Sequence, residues 1–286
     1  MRYQALAMIL VIFVYGCTER YDIELDDSFT KLVVDGQITT DTLSHTISLT
    51  TSSAYFSNQE PPVVSGAEVF LDDGHEKIKL VETPHGSGIY ATPPHYYGIP
   101  GRTYTLEINL NEQIGGTSYY AAKSTMPHSA FSLDDIELEL QERFDYWIVK
   151  LFAYDPPTTD FYKFDIEVNG TSFTDTAYRA MVIDDVLFNG KIIKGMGVLF
   201  LRRDEIKPGD TIKFMMSAIP RDYYNFFNEL RSESGGFSNP LFSGPPANIR
   251  SNIEEDGLGF FVAYKSKSIH HIVSDSLFLT LKHGNK

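Results

Sequence analysis

The sequence predicts a mainly β protein. Residues 30–127 read as an immunoglobulin-like or transthyretin-like β-sandwich, and residues 128–286 as a second β-rich domain carrying one amphipathic helix. Three observations lead there. Aromatic residues are plentiful but biased, with 17 Tyr and 20 Phe against one Trp, a choice that suits half-buried pleated surfaces. Short alternating or β-branched apolar runs recur along the chain, closed by Gly, Pro, Asn and Asp. Only one stretch carries a clear helical apolar period. With 286 residues and 42% hydrophobic residues, the chain is long enough and apolar enough to bury a real core.

The first element is an address. Met1 to Cys17 reads MRYQALAMILVIFVYGC, one basic residue followed by an apolar run from Ala5 to Val14. That is a signal-peptide pattern, and it is shorter than the roughly 20 apolar residues of a spanning helix. Val14-Tyr15-Gly16-Cys17 resembles a bacterial lipobox, with Tyr15 departing from the usual small residue. Cys17 is the only cysteine, so no internal disulfide can form, and lipidation of Cys17 is the simplest use for it. Multiple acyl chains on that residue would give stable anchoring. Residues 18–29 are rich in acid and read as a tether.

Strands then follow in order. Lys31 to Thr40 and His45 to Phe56 are β-branched runs, and Val63 to Leu71 ends at the hairpin signal Asp72-Asp73-Gly74. Lys77 to Glu82 and Ile89 to Ala91 return. Thr103 to Leu110 alternates strictly, with Tyr104, Leu106, Ile108 and Leu110 on one face. Tyr119 to Thr125 closes the first set before Met126-Pro127. With no cysteine pair, this is not a disulfide-bonded antibody-type sandwich. Asp135 to Leu140 opens the second set. Tyr146 to Tyr154, nearly all apolar and holding Trp147, reads as a central strand ended by Pro156-Pro157. Tyr162 to Val168, Val182 to Leu187, Ile192-Ile193, Val198 to Leu201, Thr211 to Ala218, Phe260 to Tyr264 and Ser276 to Leu281 complete the predicted strands. The helix lies near residues 220–234. Pro220 suits a first helical position, Asp222 complements the macrodipole, and Tyr223, Phe226, Phe227 and Leu230 form a stripe expected to pack on a sheet. A long irregular stretch, 237–259, comes next, and ordered loops of that length are often functional.

The formal net charge of -14 argues against nucleic acid as a partner, because phosphate binding needs a basic face. No G-x-S-x-G elbow, H-E-x-x-H or EF-hand pattern is present. His270 and His271 are adjacent and would point to opposite faces of a strand. Carboxylate pairs such as Asp72-Asp73, Asp184-Asp185 and Glu254-Glu255-Asp256 sit near turns, where calcium chemistry competes with ordinary turn chemistry. No catalytic residue, cofactor or metal site is assigned. The candidate contact surface is Tyr96 and Tyr97, in a loop, with Asn248, Arg250 and Asn252. Each of the last three could instead satisfy the backbone of its own loop.

Several segments together resemble a known family. They are Lys31-Leu32-Val33-Val34-Asp35-Gly36-Gln37-Ile38, Val64-Ser65-Gly66-Ala67-Glu68-Val69, Pro100-Gly101-Arg102-Thr103-Tyr104-Thr105-Leu106, Asp184 to Gly190 and Pro208 to Thr211. The most specific is Pro246-Ala247-Asn248-Ile249-Arg250-Ser251-Asn252-Ile253 with Gly257-Leu258-Gly259-Phe260-Phe261. The resemblance is to the Bacteroidetes lipoproteins catalogued as domain of unknown function 4249. Glu254-Glu255-Asp256 departs from the Gly-rich turn often found there. The resemblance implies a lipoprotein of the outer membrane, often encoded beside a TonB-dependent receptor, with no established activity and no assigned catalytic residues. The expected role is a surface-exposed, non-enzymatic binding or accessory protein for a TonB-dependent transporter. The alternatives are a structural or assembly lipoprotein of the envelope, or a surface hydrolase of glycans or peptides.

Overall fold

In the computed structural model, residues 30–53, 60–234 and 249–279 are described. The signal segment and tether, with Cys17, lie outside them, as does Asn248.

The elements run in this order: β1 Leu32–Thr39, β2 Thr46–Thr51, β3 Glu68–Asp72, β4 Lys77–Lys79, β5 Val81–Glu82, β6 Ile89–Ala91, β7 Thr103–Ile114 and β8 Thr117–Thr125. Then come β9 Ser132–Gln141, β10 Tyr146–Tyr154, β11 Phe161–Val168, β12 Thr171–Ser172, β13 Met181–Asp184, β14 Ile192–Arg202 and β15 Thr211–Ala218. Helix α1 Arg221–Ser234, β16 Leu258–Ile272 and the short helix α2 Asp275–Leu279 finish the order. The protein is mainly β, built from several sheets and one long helix.

Strictly alternating burial shows how sequence becomes layer. In β1, Leu32, Val34 and Ile38 point into a core while Asp35 and Gln37 point out. That core is closed by Val69 and Leu71 of β3, Tyr104, Leu106 and Ile108 of β7, and Tyr120 of β8. The covering sheet has the order β4-β3-β7-β8. A second core lies between the sheet β14-β10-β9 and strands β11 and β15. Trp147, Val149 and Leu151 of β10 face Tyr162, Phe164 and Ile166 of β11 there, and the rings of Phe164 and Phe214 stack at 5.9 Å.

One strand joins the two sandwiches. Residues 258–264 of β16 pair in parallel with β1, and residues 265–272 of the same strand pair antiparallel with β15. A continuous sheet, β12-β11-β15-β16-β1-β2-β6-β5, therefore forms one layer of both halves. Its run Phe260-Phe261-Val262-Ala263-Tyr264 is buried on both faces. Phe261 and Ala263 enter the first core, whereas Phe260, Val262 and Tyr264 turn to the opposite face and meet α1. A strand covered on both sides reads as unbroken apolar sequence, as this one does.

Four local expectations are revised. Lys77 to Glu82 is not one strand: at Leu80, which is buried, the chain leaves the sheet of β3 and joins that of β6. Ile192 to Arg202 is one strand, with register shifts against β10 and Gly195 at positive φ absorbing the irregularity. The strand predicted over Val182 to Leu187 stops at Asp184 and turns, because Asp185 caps a tight turn. Residues 275–279 form a helix, not the start of a strand over Ser276 to Leu281. A short apolar run fits either element, and here the side chain of Phe278 is held against Trp147 at 5.1 Å.

Candidate functional site

Helix α1 lies on the outer face of the shared sheet. Pro220 stands just before its first turn and its carbonyl accepts the amide of Tyr224 at 3.0 Å. The stripe Tyr223, Phe226, Phe227 and Leu230 lands on Phe260, with Tyr223 and Phe226 at 5.3 and 4.9 Å between ring centroids. Only Phe227 of that stripe is fully buried, and the other three are partly buried. The helix thus covers the sheet incompletely, and its aromatic edge becomes the wall of a cavity.

That cavity has a volume of about 430 Å³. Its floor is the outward face of β1 and β2, with Asp35, Gln37, Thr46 and Ser48, and its far side is Lys163 and residues 174–177. A neighbouring cavity of about 620 Å³ shares Phe226, Leu230 and Gly259 with it and continues past Arg250, Ser251 and Lys31. Together they make a groove along α1, in the size range of small-molecule sites.

The groove has a definite charge arrangement. Lys163 donates to both carboxylate oxygens of Asp165, and its ammonium lies 5.6 Å over the ring of Phe227. Thr174 donates to Asp165 at 3.0 Å and accepts the amide of Ile166 at 3.2 Å, so hydrogen bonds cross-link this shelf. Asp35, by contrast, has no hydrogen bond or ion pair among the described residues. Solvent reaches its carboxylate, but the surrounding walls push its pKa up, and the more distant Lys163 pulls against that. The Tyr223 hydroxyl is also pushed up, by burial first and then by the charges of Asp35 and Asp165. An unpaired carboxylate below an aromatic wall can accept hydrogen bonds or hold a cation.

The predicted contact residues are divided by the fold. Arg250 lines the larger cavity, but its guanidinium is taken up by Glu229 of α1, with Nε donating to Oε1 at 2.7 Å and the Arg250 amide donating to Oε2 at 2.9 Å. This pair ties the loop to the helix. Asn252 is a backbone clamp. Its Nδ2 donates to the carbonyls of Phe261 at 2.7 Å and Lys123 at 3.1 Å, and its Oδ1 accepts the amide of Phe261 at 2.9 Å. Tyr96 and Tyr97 lie beyond the other end of β1, where Gly98 donates to the carbonyl of Thr39 at 2.7 Å. Tyr96 packs on the first core beside His45, while Tyr97 is exposed. Reading the residues one at a time missed Asp35, Lys163 and the groove. The only signal was the width of the α1 stripe, which exceeds what the sheet beneath it covers.

Acidic side chains converge elsewhere too. Asp155, Asp160 and Asp185 are buried with carboxylate oxygens within 4.8 Å of one another. Their oxygens accept from Tyr162 Oη at 2.6 Å, the Gly190 amide at 3.0 Å, Thr158 Oγ1 at 2.6 Å, the Asp160 amide at 2.8 Å and Asn189 Nδ2 at 3.0 Å. Burial raises the pKa of Asp155 against those donors. The trio clamps the turn that follows β13. His270 and His271 sit on β16 opposite Lys213 and Ile212, on alternate faces of the strand.

Among the described residues, no helix is long and apolar enough to cross a membrane. Compared with known proteins, the chain matches the model of a family described as "Domain of unknown function (DUF4249)" over residues 18–270. No curated protein matches it. Among solved structures it is similar to a chain titled "Cytokine receptor complex - Crystal form 1A", at 9% identity and a TM-score of 0.25, covering 84% of this chain and 96% of that one. A likeness that loose carries no argument about fold or function.

Proposed function

From the premise that this chain belongs to the DUF4249 family, we propose that it is a lipid-anchored, non-enzymatic binding or accessory protein of the outer membrane, exposed at the cell surface and working beside a TonB-dependent transporter. The observation that carries the binding half is the groove along α1, where a half-covered aromatic wall stands over the unpaired Asp35. The anchoring half rests on Cys17 at the end of the signal pattern, followed by the acidic tether of residues 18–29. In this reading the body is held at a high effective concentration beside its partner, so that weak contacts suffice. The family resemblance supplies the transporter as the partner class.

A tagged pull-down of the lipidated protein from mild-detergent membranes tests this, alongside a Cys17→Ala control. We expect a TonB-dependent transporter to co-purify and to be lost in the control. Confirmed lipidation with no transporter enriched overturns the accessory role. A deletion strain with normal uptake and altered envelope integrity would then point to the structural alternative.

A further inference from the structure

At the C-terminal end of α1, next to the groove that Leu230 and residues 174–177 wall, the fold gathers positive charge in a strongly acidic chain. A cavity of about 440 Å³ opens between the last turns of α1, the segment before β13 and the end of β14. Arg179, Arg202 and Arg231 line it, with Glu205 as the lining carboxylate. Tyr178 and Phe200 stand beside them, exposed at 57% each, so their ring faces are open to a ligand.

The arginines are held but not consumed. Glu205 bridges two of them, with Oε1 at 3.0 Å from Arg202 Nε and 3.5 Å from an Arg179 terminal nitrogen. Its other oxygen accepts the Arg202 amide at 2.6 Å. Arg179 is fixed further, its guanidinium 4.4 Å from the centre of the Phe173 ring and its Nε donating to Tyr178 Oη at 3.2 Å. Asp204 approaches Arg202 at 3.6 Å from the solvent side. Arg231 makes no ion pair among the described residues. A guanidinium has five N–H donors, so one carboxylate shared between two arginines leaves donors free. Positive groups concentrated in a concavity focus field and recruit anions even when the whole molecule is negative.

We propose that this cavity is a second binding site, taking a small molecule that carries an oxyanion, carboxylate or phosphate, on an aromatic or apolar ring. The oxyanion meets Arg202 and Arg231, and the ring lies on Tyr178 and Phe200. It shares no lining residue with the groove at Asp35, so the two are tested by different substitutions.

The test is calorimetric titration of the mature, lipidated chain in detergent with three probes: benzoate, phenyl phosphate and benzyl alcohol. At least one of the two anions is expected to bind about tenfold or more tightly than the neutral alcohol, with affinity falling as salt rises. Benzoate alone would identify a carboxylate ligand, and phenyl phosphate alone a phosphoryl ligand. Arg231→Gln should weaken the anion by about tenfold. Because Arg231 makes no ion pair among the described residues, the variant should melt as the parent does. Lys79→Gln, which removes a positive charge from the first sandwich, should bind as the parent does. Equal binding of benzyl alcohol, no binding of either anion, unchanged affinity in Arg231→Gln, or an equal loss in Lys79→Gln would each overturn the site.

Discussion

His45 is a buried imidazole whose Nε2 has no hydrogen-bond partner and whose Nδ1 accepts the Thr39 amide at 3.5 Å. Burial lowers its pKa from the ordinary 6.5, against smaller opposing pulls from the Asp41 and Tyr96 backbone and the Asp41 charge. The folded state therefore keeps this ring neutral at pH values where the unfolded chain would protonate it. The unfolded state binds more protons in that window, so stability rises with pH there. Stability is fully present above about 6.5 and falls as pH drops through that value toward the lower folded pKa. Urea melts of the parent and His45→Gln across pH 7 to 5 should show a steeper loss for the parent. Parallel profiles would mean that another group sets the slope. At this scale the sequence was partly legible. Asn252 is open to two readings, loop brace or ligand contact, and in the fold its side chain makes three hydrogen bonds to backbone. Asp35 could not be picked out from sequence, because nothing local says that an outward strand carboxylate will lie at the foot of a helix.

Among the elements, β16 and α1 carry the architecture. Gly259 adopts φ +88, and a Cβ there would stand 2.0 Å from the carbonyl oxygen of Val34 on β1. Backbone meets backbone at that point, so neither side can yield as a flexible side chain would. Gly259→Ala should cost about 2–4 kcal/mol, combining the strained φ with the clash. Chemical denaturation measures it, and a loss below about 1 kcal/mol would mean that β1 and β16 separate locally without consequence. The helix was legible because four aromatic and aliphatic residues recur at helical spacing, and β7 because it alternates strictly. The helix over 275–279 was not, since five residues are too few to express a period. The sheet change at Leu80 was equally hidden, for the apolar pattern on either side of it is the same.

For the whole molecule, the shared strand ties two cores into one equilibrium. Losing the β16 pairing opens a layer of each sandwich at once, so both halves should melt together. Phe261→Ala removes a fully buried ring from the first core and should cost about 3–5 kcal/mol. Trp147, the only tryptophan, is buried in the second core and reports on that half alone. Its fluorescence midpoint in Phe261→Ala should fall in step with the far-ultraviolet circular dichroism. A tryptophan transition left where it was would show two independent units. Short strands, turn signals and the apolar helix face announced a mainly β chain with one helix. The pairing of residues 258–264 with residues 33–39 could not be read, because strand patterns state which face is buried and not which neighbour buries it.

The same strand also sets an order of events during biosynthesis. Residues 32–126 supply most of the first sandwich, yet the partner that covers one edge of β1 is made more than two hundred residues later. Until residues 258–272 leave the ribosome, both halves carry an open, unpaired strand edge. An open edge of this kind is a template for wrong pairing, and it stays available until the last long strand has arrived and closed both sheets.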